Sequence, residues 1–178
     1  LYHRLLQAIE ADSLARGTAI MKLSLSVRIA EEFMSKEKAS MTLDDLARLA
    51  KRCGYGALCM RASQVGVQSS PEAAKEAGNC LAEADLAVSM VTGDFDTVYN
   101  NDNGPVALRN ITPYLDLAKC LGAPRIRVAL KHESDIANAQ RAAAEAAERD
   151  LQLVHQCHTL SLFETVEGIE RTLTAIDR

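Results

Sequence analysis

The sequence predicts an α/β fold of the (β/α)8 TIM-barrel type, represented by about five βα units of an incomplete barrel. Three observations lead there. Five short apolar segments recur along the chain, each followed by a segment with helical spacing or helix-start chemistry. A helix between two strands returns the chain to the same end of the sheet, so the strands must pair in parallel. The strands are short and the loops beyond their C-terminal ends are long, which suits a barrel better than an open doubly wound sheet. No GxGxxG follows the first strand and no GxxxxGKS or GxxxxGKT occurs, so dinucleotide and P-loop nucleotide binding lose their main support.

Each element has its own signal. Residues 1–20 read as an amphipathic N-terminal extension with Leu5, Leu6 and Ile9 on one side and Gly17 near its end. Met21 has the look of an initiator methionine, and the barrel domain is expected to run over 21–178. The first strand is Leu23 to Val27. Thr42, followed by Leu43, Asp44 and Asp45, is an N-cap with acids in the first turn, and Gly54 stops that helix. The second strand is Ala57 to Met60, and Ser70-Pro71 opens the next helix with proline at its first position. The third strand is Leu86 to Val91. Pro105 starts a helix reaching Leu121, in which Pro113 predicts a kink or break. The fourth strand is Ile126 to Leu130, followed by an alanine-rich helix from Glu133 to Arg149. The fifth strand starts at Leu151, and the last helix runs from Glu164 to Ile176 near a Thr165 cap.

Composition narrows the function. The 178 residues make one domain with a real core. Aromatic residues are 4% with no Trp, which argues against a base-stacking platform, and the net charge of -4 argues against gripping phosphate backbones, so no nucleic-acid partner is expected. No apolar run spans a bilayer and no signal peptide is apparent, so no membrane partner is expected either. Five dispersed cysteines without a CxxC pair suggest reduced thiols and a cytoplasmic location.

The chemistry concentrates after the fifth strand. Leu151, Leu153 and Val154 are apolar, and then His155, Gln156, Cys157, His158 and Thr159 follow without a break. A polar cluster at the C-terminal end of a parallel strand is held rigidly by the strand and opens onto a variable loop. His158 is a candidate to contact substrate or metal, or else a loop histidine bonded to backbone. His155 points either inward or toward a helix. Cys157 has no positioned base and third orienting group, so it is not a nucleophile candidate. The ends of the other strands offer Arg61, for an anionic group or a rim salt bridge, then Asp94 and Asp96, then Lys131 and His132.

MKLSLSVRIAEEF, GALCMRASQ, VSMVTGDF, NITPYLDLAKCLGAPRIRV and LVHQCHTLSLFETVEGIERTL, in this order and spacing, resemble the sugar phosphate isomerase/epimerase family. Its fold is the xylose isomerase-like TIM barrel, shared with abasic-site endonucleases, and the resemblance covers about Met21 to Arg178. It implies one divalent metal (Mn, Mg or Zn) at the C-terminal mouth, held by a Glu on strand five and by residues of later strands, and a proton moved at a carbon next to a carbonyl. Gln156 stands where that first Glu is expected, and His158 matches the histidine that follows it. Gln offers a neutral oxygen to a cation but cannot act as a base, so metal binding by this chain is expected to be weak or absent. The chain ends at Arg178, where strand six is expected.

The resemblance therefore implies a metal-dependent isomerase or epimerase of a small sugar or sugar phosphate, with His158 and Gln156 as catalytic and metal residues; the strand-end positions add Arg61, Asp94, His132 and His155 as candidate substrate contacts. The alternatives are a non-catalytic barrel serving as a binding or assembly module and an abasic-site endonuclease-like enzyme. Five strands leave β edges and an inward face, expected around Leu23, Leu58, Val88, Val128 and Leu153, without an opposite wall. Either further strands or a homo-oligomer would cover them.

Overall fold

The computed structural model describes residues 22–176; the expected N-terminal helix lies outside them. Five strands, β1 (Ser24–Ser26), β2 (Ala57–Arg61), β3 (Ala87–Thr92), β4 (Arg125–Val128) and β5 (Gln152–His155), form one sheet in chain order. Every pair is parallel. The long helices are α1 (Leu43–Arg52), α2 (Pro71–Glu83), α5 (Thr112–Cys120), α6 (Ile136–Ala147) and α7 (Val166–Ile176), with two short ones, α3 (Phe95–Tyr99) and α4 (Val106–Arg109), between β3 and α5. No helix among the described residues is long and apolar enough to cross a membrane.

The helix starts follow the expected chemistry. The Thr42 side chain accepts from the Asp45 amide and that of Ser70 from the Ala73 amide, each satisfying an amide that the first helical turn leaves free. Thr165 does the same for the Gly168 amide at 3.1 Å. The single helix expected over Pro105–Leu121 is two. The chain breaks at Asn110–Ile111, and Pro113 sits in the first turn of α5, where its missing N–H costs nothing. The helix expected from Glu133 begins with a 3-10 turn, Glu133–Asp135.

The core lies between the sheet and the helices. Leu58, Met60, Val88, Val91, Ile126 and Val128 point from the strands into that layer and meet Leu46, Ala50, Leu81, Leu115 and Ala146 of the helices, all buried. Each buried Leu, Ile, Val or Met is worth about 1.5–3 kcal/mol. Paired residues of neighbouring strands share a face, so Ser24, Ser26, Ala57, Cys59, Arg61 and Arg127 occupy the other side. That side is concave: the Ser24 and Ser89 hydroxyls, from β1 and β3, meet at 2.7 Å across β2. The expected apolar inward face is thus corrected. Leu58, Val88, Val128 and Leu153 face the helices, Leu23 precedes β1, and the inner face of the sheet is polar. Alternation showed two faces but not which of them would be the inside.

Candidate functional site

All five strands run the same way, so Arg61, Asp94, His132, Gln156 and His158 lie together at the C-terminal end of the sheet. Their surroundings differ.

Arg61, the last residue of β2, is 6% exposed. Its Nε donates to Glu31 Oε1 at 2.7 Å, and the Ser63 hydroxyl donates to the same oxygen at 3.0 Å. The Glu31 side chain is equally buried. This pair ties the loop after β1 to the end of β2. Glu31 follows a 3-10 turn (Val27–Ala30), and no sequence pattern pointed to it.

Asp94 caps α3. One carboxylate oxygen accepts from the Thr97 amide at 2.7 Å and the other from the Tyr114 hydroxyl at 2.5 Å. Burial, reinforced by the neighbouring Asp94 carboxylate, pushes the Tyr114 phenol up, so it stays a donor. The ring can lie there because residue 93 is glycine: a Cβ at that position would come 2.5 Å from Tyr114 Cδ1. Asp94 thus holds the loop after β3. Asp96 accepts from the Asn101 side chain at 3.3 Å.

At the ends of β4 and β5, Lys131 is buried and donates from Nζ to the Asn100 carbonyl at 3.0 Å. Asn100 holds a left-handed backbone, φ 54°, and its amide reaches His158 Nδ1 at 2.8 Å. The exposed His158 ring also lies 3.1 Å from the Thr159 carbonyl through the same nitrogen. Asn100, Arg127, Gln156 and His158 line one small recess, with His155 behind it. Asn100 and Arg127 are members that sequence reasoning missed; the first sat in a loop of turn-forming residues and the second in the middle of a strand. The His132 amide donates to Asp135 at 2.9 Å, and its ring is exposed.

His155 stands apart. It pairs with Val128 and so points to the helix side, where its ring stacks on Phe163 with centroids 4.2 Å apart. It borders a cavity of about 380 Å³ between β5 and helices α6 and α7. Neither ring nitrogen makes a hydrogen bond. Burial, with the nearby Arg127 charge adding to it, pushes its pKa down from 6.5 to about 4.

A divalent cation would find Gln156 and His158 here, and no group of three or more His, Cys, Asp or Glu side chains that could hold a metal exists among the described residues. Two exposed donors, one a neutral amide and the other already hydrogen-bonded, do not fit a metal centre by themselves.

No family model and no curated protein matches the chain. Solved structures do match it. The probable 3-DHS dehydratase AsbF involved in petrobactin synthesis, from Bacillus anthracis, has a TM-score of 0.65 at 16% identity, over 89% of this chain and 60% of that one. D-allulose 3-epimerase from Methylomonas sp., in complex with D-allulose, has a TM-score of 0.61 at 14% identity, over 89% and 59%. An AP endonuclease of family 2 from Brucella melitensis has a TM-score of 0.60 at 13% identity, over 85% and 65%. The chain therefore has the fold of the xylose isomerase-like TIM barrels, and carries five of its βα units. It spans about three-fifths of the length of the structures it matches.

Proposed function

We propose that this chain forms part of an isomerase or epimerase that moves a proton next to the carbonyl of a small sugar or sugar phosphate. The observation that carries the reading is the polar recess at the ends of β4 and β5, where Asn100, Gln156 and His158 converge on the inner side of a barrel-type sheet. The fold alone hosts a dehydratase, an epimerase and a nuclease, so it does not choose among them. The residues do more. Asn100 and Gln156 offer amide donors and acceptors of the kind that orient sugar hydroxyls. His158 is the one proton-carrying side chain of the recess open to solvent, and the Asn100 contact fixes which way its ring faces. Gln156 positions and cannot take a proton. The described residues do not fit a divalent metal, so their roles here are to bind, orient and exchange protons. The reaction is assigned to the full-length protein that carries these units.

Favouring a second reading, a sugar-binding barrel without catalysis, is Gln156 itself, a neutral amide where the resemblance expects a carboxylate. The net charge of -4 argues against the nuclease reading. In this proposal the protein works in the cytoplasm and the exposed edges of β1 and β5 pair with further strands or a second copy. The test is a panel of aldoses, ketoses and their phosphates incubated with the full-length protein, with Mn²⁺, Mg²⁺ or Zn²⁺ added in turn, and followed by ¹³C NMR. Formation of an isomer or epimer supports the reading. Saturable binding of a sugar without conversion would replace it with the binding-module reading.

A further inference from the structure

Arg127 is the residue that the proposed reaction leaves unexplained. It sits in the middle of β4 on the inner face of the sheet, half-buried, beside the recess of Asn100, Gln156 and His158. Its guanidinium has five N–H donors, and the hydrogen bond it makes is to the Thr97 carbonyl at 2.9 Å. No carboxylate among the described residues pairs with it; the ion pairs of this end of the sheet are taken by Arg61 and Glu31. Its neighbours worsen the position. Burial lowers its proton affinity, and Arg61 and Arg28 lower it further. The Cys59 thiol, close by on β2, is pushed up by burial, stays protonated and supplies no countercharge. A half-buried cation without a carboxylate partner gains from any anion that meets it. The remaining donors are not sealed in: none of the orphaned buried atoms among the described residues belongs to Arg127, and the residue lies on the inner face of β4.

We propose that Arg127 is the anchor of an oxyanion-binding subsite inside the mouth, receiving a phosphate ester or carboxylate of the molecule whose hydroxyls meet Asn100 and Gln156. A planar guanidinium with free donors matches either group bidentately. Arg61 does not compete, because Glu31 neutralises it. The assignment rests on the sugar-converting reading only in calling the ligand a substrate; it makes that substrate anionic.

The test needs no turnover, so it stands or falls separately from that reading. The full-length protein is titrated with inorganic phosphate and, in parallel, with acetate at constant ionic strength, by calorimetry. Saturable binding of either anion is expected, and the tighter one names the group. Arg127→Gln weakens it about tenfold or more, as loss of a charge-assisted pair should, whereas Arg125→Gln, an exposed arginine two residues earlier on the same face, leaves it unchanged. Thermal unfolding without added anion separates the folding question. Arg127→Met removes an unpaired charge together with the hydrogen bond to the Thr97 carbonyl, so without anion it should remain folded, and it should lose the stabilisation by phosphate. Absence of saturable binding, binding indifferent to Arg127→Gln, or stabilisation by phosphate that survives in Arg127→Met would each overturn the proposal.

Discussion

Replacing Glu31 by alanine tests how the mouth is held together. Glu31 and Arg61 are both nearly sealed from solvent, at side-chain exposures of 4% and 7%, with Nε and Oε1 2.7 Å apart. Removing the carboxylate leaves a buried guanidinium without a partner, which costs about 3–5 kcal/mol. The Ser63 hydroxyl loses its acceptor as well, adding about 1 kcal/mol. At about 2–4 °C per kcal/mol for a domain of this size, the melting temperature should fall by about 8–24 °C. Urea unfolding followed by circular dichroism reads the free energy, and a thermal melt checks it. The double variant Glu31→Met with Arg61→Met should be less destabilised than Glu31→Ala alone, because no charge is then left buried. A Glu31→Ala protein within about 1 kcal/mol of the parent would refute the reasoning, since it would mean that water reaches Arg61 and screens it.

Three further outcomes are expected. Stability should decline as pH falls from 6.5 toward about 4, because the unfolded chain takes up a proton that the buried His155 ring refuses; His155→Phe should flatten that part of the pH profile, and an unchanged profile would show that the ring is solvated. Tyr114→Phe should cost about 1.5–3 kcal/mol for its charge-assisted hydrogen bond, and Asp94→Ala more than that, because the α3 cap goes too; chemical denaturation showing Asp94→Ala to be neutral would free Asp94 for a substrate role. Calorimetry with Mn²⁺ or Mg²⁺ should show weak binding at best to this chain, since Gln156 and His158 are the two candidate donors among the described residues; tight binding abolished by Gln156→Ala would contradict this.

Much of the fold was legible because its signals are local. Thr42, Ser70 and Thr165 announce helix starts through the hydrogen bond each side chain makes, and Pro113 announced a break that falls two residues ahead of it. Five strands in chain order follow from the helices between them. The direction of the strand faces was not legible, because a period of two is the same from either side. Solvent decides it: the apolar set packs under the helices, and the concave side keeps Ser24, Ser26 and Arg127. The site was half legible. The run His155 to Thr159 stood out by composition, but His155 turns to the helix layer while Gln156 and His158 turn to the mouth. Glu31, Asn100 and Arg127 join from chain positions at least 27 residues apart, which no local pattern can register.

Proton transfer at the recess is tested most directly by solvent isotope exchange. The full-length protein and its His158→Ala variant are incubated in D₂O with a panel of ketoses and ketose phosphates, and deuterium entering the carbon next to the carbonyl is followed by ¹H NMR. His158 is exposed, so the variant should fold as the parent does. The account predicts exchange into at least one of these substrates by the parent, slowed about a hundredfold or more when a general acid–base residue is lost. Equal exchange by parent and variant, or a bound sugar that never exchanges, would contradict it.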